Sequence, residues 1–162
     1  MFVYSIRSST VKFFGFLLLT LALVVGVAVF GRGDSVLASS DGVTVSYSGI
    51  KTDEARRGFI EGFGIEISDE AAEEKSFKMP ESFDRVILGY NELQKKQGLD
   101  LSKYARKKVT RYSYKVTNYN SDEEVYANLF VYRGRVVACD LSSANPEGFV
   151  IPLTLVKSDM LK

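Results

Sequence analysis

The chain has 162 residues, 21 Lys and Arg against 20 Asp and Glu, a formal net charge of +1, one Cys, and neither His nor Trp. That length supports one hydrophobic core of ordinary domain size. The near-neutral charge gives no general affinity for nucleic acid, one Cys cannot build an internal disulfide framework, and the lack of His removes the commonest general base and metal ligand.

Residues 1–12 carry Arg7 and Lys12 and no acidic residue. Residues 13–31, FFGFLLLTLALVVGVAVFG, follow as an uncharged apolar run closed by Arg32. As a helix rising ~1.5 Å per residue the run is about 28 Å long, close to the ~30 Å hydrocarbon thickness of a bilayer. It is expected to be a membrane anchor built from Phe13, Phe14, Leu17, Leu18, Leu19, Leu21, Leu23, Val24, Val25, Val27, Val29 and Phe30. The Lys and Arg excess on the leading side predicts a cytoplasmic amino terminus and an extracytoplasmic body, hence a single-pass protein of the cell membrane. The alternative is secretion after cleavage near Ala38, where Val36-Leu37-Ala38 has the small-x-small pattern; the length of the run and the charges at Arg32 and Asp34 favour retention. Ala22 and Gly26 place two small residues on one helix face, a spacing that permits close helix approach.

Three basic residues and one acidic residue lie in the first 38, so the +1 of the whole chain becomes −1 for the remainder. Residues 32–50 are small and polar and read as a flexible tether ending in a short strand, where Val43, Val45 and Tyr47 alternate. Residues 51–162 form the expected extracytoplasmic domain. Thr52 can cap a helix with Asp53 and Glu54 in its first turn, Phe59, Ile60 and Phe63 on its apolar face and Gly64 as its stop. Ile65 and Ile67 then alternate as a short strand. The acidic stretch Asp69, Glu70, Glu73 and Glu74 reads as a solvated bend before Phe77 and Met79 resume the alternation; it lacks the spacing of a calcium loop.

Pro80 marks the entrance to a second helix whose apolar positions, Phe83, Val86, Ile87, Tyr90 and Leu93, recur at three and four, with Gly98 ending the run. Asp100 can cap a short turn that reaches Tyr104. From Val109 the period becomes two, with Tyr112, Tyr114 and Val116 on one side and Arg111, Ser113, Lys115 and Thr117 on a wet side. After turn residues at 118–122, Val125 to Tyr132 is apolar or aromatic on both sides, which predicts a central strand. Arg133-Gly134 then makes a tight hairpin into Val136 to Leu141. The tail from Ser142 reads as loop, with Phe149 to Leu155 as a covering strand. The expected fold class is α+β, a two-layer domain with two helices on one face of a mostly antiparallel sheet that ends in a three-stranded meander.

The segments YNELQKKQGLDLSKY (residues 90–104), RYSYKVTNY (111–119) and NLFVYRGRVVACD (128–140), with Gly148-Phe149, resemble the domain-of-unknown-function family DUF4830 over residues 64–151. The resemblance implies a short protein of a Gram-positive bacterium tethered by one amino-terminal helix, and it brings no catalytic residue.

Eight basic residues fall within positions 95–115, namely Lys95, Lys96, Lys103, Arg106, Lys107, Lys108, Arg111 and Lys115, opposed only by Asp100. Lys103, Arg106, Lys107, Lys108, Arg111 and Lys115 form the candidate contact surface for an anionic envelope polymer or an envelope protein, against the plainer reading of a solvated rim. Tyr104, Tyr112, Tyr114, Tyr119, Tyr126 and Tyr132 either line a groove or, as such residues more often do, pack in the core. Cys139, among Val136, Val137, Ala138 and Leu141, is expected to be buried and inert. Asp140 with a neighbouring Tyr is the one candidate for acid-base chemistry, and no phosphate-cradling loop, nucleophile motif, cofactor site or metal site accompanies it. The functional expectation is a membrane-anchored, extracytoplasmic, non-enzymatic interaction module without cofactor. The alternatives are a small pocket-bearing enzyme using Asp140 and a ligand sensor acting through a membrane partner.

Overall fold

The computed structural model of the chain describes residues 37–38 and 44–162. The expected membrane anchor at 13–31, its flank at 1–12, the Ala22 and Gly26 pair and most of the tether lie outside the described residues. Among those that are described, no helix is long and apolar enough to cross a membrane.

The elements run β1 (Leu37–Ala38), β2 (Thr44–Val45), α1 (Asp53–Glu61), β3 (Glu73–Lys78), α2 (Arg85–Lys95), β4 (Lys108–Lys115), β5 (Val125–Tyr132), β6 (Arg135–Ser143) and β7 (Val150–Pro152). β1 and β2 pair antiparallel with each other. The remaining five strands form one antiparallel sheet in sequence order, with β5 in the middle as its two-sided apolar pattern predicts. β5 and β6 meet at Arg133 and Gly134, both at positive φ (51° and 77°), the backbone that a two-residue hairpin turn requires.

Register places the two helices on opposite faces, which corrects the expectation of one shared face. Ser113, Asn128 and Asp140 are mutual cross-strand partners, and so are Tyr114, Ala127 and Leu141 one residue on. Successive side chains alternate between faces, so these two rows lie on opposite sides of the sheet. The Tyr114 side packs on α1 through Phe59, Ile60 and Phe63, and this cluster includes Val45, Tyr47 and Ile50. The Ser113 side packs on α2 and on the 3-10 helix Leu101–Tyr104, through Tyr90, Phe130, Leu101 and Ala138. The side of β4 expected to be wet is therefore covered at Ser113 and in part at Arg111, while Lys115 and Thr117 are exposed as predicted.

α1 forms as its sequence predicts: the Thr52 hydroxyl accepts from the Ala55 N–H at 3.2 Å, and Gly64 turns the chain at φ 76°. Ile67 makes only a single bridge, to Val116, so the expected strand at 65–68 reduces to one pair. Asn118 supplies further links there, accepting from Glu66 N–H and donating to Gly64 C=O, each at 2.9 Å. Glu73 and Glu74 belong to β3 and not to a bend, because an edge strand leaves charged side chains in solvent.

α2 departs furthest from expectation. It starts at Arg85 with Asp84 as its cap, the Asp84 carboxylate accepting from Ile87 N–H at 2.8 Å, so Pro80 lies in the preceding loop. Its predicted apolar stripe is buried only in part: Phe83 and Tyr90 pack on the core and Ile87 and Leu93 are half-buried. Val86 is 79% exposed and Leu88 51%, whereas Asn91, Gln94 and Gln97 are buried. The reason lies at the outer edge of β6. β7 pairs only with Asp140, Leu141 and Ser142. At Cys139 the backbone N–H donates to Gln94 Oε1 at 2.9 Å and the C=O accepts from Gln97 Nε2 at 2.6 Å. Further along, Val136 N–H donates to Tyr47 C=O and Ile50 N–H donates to Gly134 C=O, each at 2.8 Å. The Tyr47 hydroxyl donates to Gln97 C=O at 2.8 Å. Residues 45–50, expected within the tether, are thus packed along the sheet, and the folded domain begins before residue 51.

Asn91 anchors the 3-10 helix by accepting from Leu101 N–H at 2.7 Å, and Asp100 caps it through Ser102 N–H at 3.1 Å, as its sequence predicts. Gln97→Leu is expected to lower the unfolding free energy by about 2–3 kcal/mol, because it strands the buried Cys139 carbonyl, while Gln94 Oε1 keeps the Cys139 N–H. Val86→Ala is expected to change it by less than about 0.5 kcal/mol. Urea unfolding of the full chain in detergent, followed by circular dichroism, measures both.

Candidate functional site

Two groupings of polar side chains stand out, one inside the domain and one on its surface. The inner one starts from the row Ser113, Asn128 and Asp140 on three adjacent strands. Alternation puts Ser113 and Asn128 under α2, and the helix adds Tyr90. The Tyr90 hydroxyl donates to Asp140 Oδ2 at 2.5 Å, and Asn128 Nδ2 donates to Asp140 Oδ1 and to Ser142 Oγ, each at 2.8 Å. Ser113 Oγ donates to Asn128 Oδ1 at 2.6 Å. Arg111, two residues before Ser113 on the same face, has a long ion pair with Glu73 at 3.7 Å, while its buried Nε has no hydrogen bond.

Asp140 is 3% exposed. Burial pushes its carboxyl above the ordinary value, against the hydrogen bonds from Tyr90, Asn128 and Ser142 and the positive charge of Arg111. Burial, reinforced by the Asp140 charge, raises the Tyr90 phenol well above its ordinary value and keeps it a donor. Asp140 does meet a Tyr, as acid-base chemistry would need, but both carboxyl oxygens are engaged and α2 lies over them. The arrangement locks a helix to a sheet and presents no carboxyl to a substrate.

The surface grouping lies where β3 ends and β4 begins. Lys78 and Lys108 are direct cross-strand partners, a like-charge pairing that costs stability in a sheet. Lys107 is exposed beside them, as is Lys103 on the 3-10 helix. The chain closes there through Arg106 N–H to Met79 C=O at 3.0 Å and Met79 N–H to Lys107 C=O at 2.9 Å. Arg106 is held at φ 63°, a conformation uncommon for a residue with a side chain. A cavity of about 450 Å³ lined by Lys78, Met79, Pro80, Glu81 and Arg106 adjoins this corner.

The predicted contact surface is not one continuous face. Arg106 pairs with Glu81, Lys115 with Glu124 and Arg111 with Glu73, and Lys95, from the wider basic stretch, pairs with Glu92. Arg111 and Lys108 project from opposite faces of β4 by strand alternation. What stays together is Lys107 and Lys108, joined by Lys78, with Lys103 exposed on the preceding 3-10 helix. The sequence reading missed Lys78, although the like-charge pair would follow from knowing the β3–β4 register.

The tyrosines are dispersed. Tyr104 stacks on Tyr132 and Tyr119 on Phe149, Tyr126 bonds Glu124, Tyr112 lies under Arg56, and Tyr114 donates to Asp53 at 2.7 Å. Cys139 is buried, and burial raises its thiol well above the ordinary value. Among the described residues no three His, Cys, Asp or Glu side chains converge as metal ligands would.

A family model described as a domain of unknown function (DUF4830) matches residues 59–141, from the end of α1 into β6. That span includes the buried network and the lysine corner. No curated protein and no solved structure is similar to the chain at a significant level.

Because the Asp140 carboxyl titrates higher in the folded protein than in the unfolded chain, the folded state holds this proton more tightly between the two values. The group's stabilising contribution is complete below the unfolded value of about 3.9 and is lost as pH rises through the raised folded value. Asp140→Asn removes this titration and keeps an amide between Tyr90 and Asn128. Urea unfolding across a pH series is expected to give a variant-minus-wild-type stability that rises through that window and levels off above it.

Proposed function

The chain belongs to the DUF4830 domain-of-unknown-function family, and from that premise we propose that it is a membrane-anchored, extracytoplasmic interaction module that binds an anionic envelope partner and catalyses no reaction. The observation that carries this reading is the lysine corner. Lys78 and Lys108 face each other across β3 and β4 with Lys107 and Lys103 exposed nearby. A sheet that keeps like charges directly opposite each other gives up stability, and a polyanion relieves that repulsion by bridging them. The enclosed state of Asp140, with both oxygens engaged, supports a binding role over the acid-base alternative.

The apolar run at 13–31 supports anchoring, since its length matches the bilayer and Arg7 and Lys12 flank it on the leading side. The folded domain then lies outside, close to the membrane, where polyanionic envelope polymers concentrate. The lysine corner supplies the attraction, and the adjoining cavity at Lys78 and Arg106 gives it relief.

The full chain reconstituted in neutral vesicles is expected to co-sediment with polyphosphate in a salt-sensitive way. Lys78→Glu, Lys107→Glu and Lys108→Glu together are expected to weaken that binding by at least about tenfold. Unchanged binding by the triple variant removes the lysine corner as the contact. A carboxyl-terminal reporter that is active only outside the cytoplasm is expected to be active, and a cytoplasmic signal removes the envelope reading.

A further inference from the structure

A second cationic site lies on the α1 side of the sheet, and we propose that it binds a phosphate group, free or carried on a short polyol. A cavity of about 190 Å³ brings together Lys51, Arg56 and Arg133 over the β4 residues Thr110 and Tyr112. These three cations come from three separate segments: the stretch before α1, α1 itself and the β5–β6 turn. No carboxylate lines the cavity.

The fold holds the Arg56 guanidinium in place before any ligand arrives, while Lys51 and Arg133 are exposed. Arg56 stacks on Tyr112 with its guanidinium carbon 3.8 Å from the ring centroid, and its side chain is only 12% exposed. Its Nε donates to the Tyr114 hydroxyl at 2.8 Å, its Nη1 to Lys51 C=O at 3.4 Å and its Nη2 to Asp53 at 3.3 Å. Each Nη keeps a second N–H that these bonds do not use. Asp53 is shared with Arg57 at 2.6 Å and with Tyr114, so it does not neutralise Arg56 alone. Lys51 is laid across the hairpin by the bond between Ile50 N–H and Gly134 C=O. A Cβ at Gly134 would come within 2.6 Å of Lys51 Cγ, and φ there is 77°, so glycine makes room for the lysine stem. Arg133 sits at φ 51° in the turn, with its guanidinium 5.3 Å from the Tyr132 ring centroid.

Lys51, Arg56 and Arg133 border one small concavity that no carboxylate lines, and three cations so placed suit a multi-oxygen anion. Thr110, whose hydroxyl is 2.8 Å from that of Ser76, adds a neutral polar group. Ile50 and Val131 supply an apolar wall against which a short carbon stem can rest. A phosphate ester of a short polyol satisfies all three features. This site uses none of Lys78, Lys103, Lys107 or Lys108 and stands or falls apart from the polyanion contact.

The test uses the full chain in neutral phosphatidylcholine nanodiscs, titrated calorimetrically with inorganic phosphate, with glycerol 3-phosphate and with soluble dihexanoyl phosphatidylglycerol. Saturable binding of at least one ligand is expected, and Lys51→Gln with Arg133→Asn is expected to weaken it by about tenfold or more. Asn tolerates the turn's positive φ and Gln keeps most of the Lys51 stem, so the variant is expected to retain the wild-type circular dichroism. Binding of phosphate or glycerol phosphate assigns a free ligand, and binding of the lipid analogue alone assigns a headgroup. Lys107→Glu with Lys108→Glu is the control and is expected to leave phosphate affinity within twofold. Absence of saturable binding in all three arms, or binding that the Lys51 and Arg133 variant retains, overturns the proposal.

Discussion

The outer edge of β6 is the constraint around which this domain is arranged. A strand at a sheet boundary carries N–H and C=O groups that need partners once they are buried. Here three unlike devices cover one edge in succession: the short strand β7, two glutamine side chains at Cys139, and the extended segment of Tyr47 to Ile50. The opposite boundary, β3, carries charge and faces solvent. A sheet with one closed edge and one charged edge resists pairing with another copy.

The glutamine clamp decides how α2 sits. Gln94 and Gln97 lie three apart, so presenting both to Cys139 fixes the rotation of the helix. Tyr90, four residues before Gln94, then falls over the sheet and reaches Asp140, while Val86 and Leu88 turn outward. Gln97 also receives the Tyr47 hydroxyl, so the segment before α1 docks on the same element. The contacts of Gln97 thereby link the segment before α1 and the end of α2 to the central sheet. The buried Asp140 network belongs to this locking arrangement, because its members come from α2 and the three strands beneath it.

Both cationic groupings lie on the surface and depend on tertiary placement. Lys78 and Lys108 are 30 positions apart in the chain and are joined only by register. Lys51, Arg56 and Arg133 are brought together by the hairpin packing beside the stretch that precedes α1. Placing like charges together costs stability, and at both places it is long-range packing that imposes it.

Local chemistry alone determined α1 with its Thr52 cap, the Asp100 turn, the Arg133-Gly134 hairpin, the meander and the central place of β5. Each of these depends on residues close in sequence, through a cap, a two-residue turn or a period of two. The apolar run at 13–31 is likewise a property of consecutive residues. What only the tertiary structure decided is which side each helix covers, which face of α2 is buried, and that residues 45–50 pack along the sheet. Periodicity predicted an apolar face of Phe83, Val86, Ile87, Tyr90 and Leu93 for α2, and Phe83 and Tyr90 do pack on the core, while the rotation that brings Gln94 to the Cys139 backbone leaves Val86 exposed. The basic stretch was visible as composition, but which of its cations are paired followed from where Glu73, Glu81 and Glu124 came to lie. Long-range pairing sets those positions, and no local pattern encodes it.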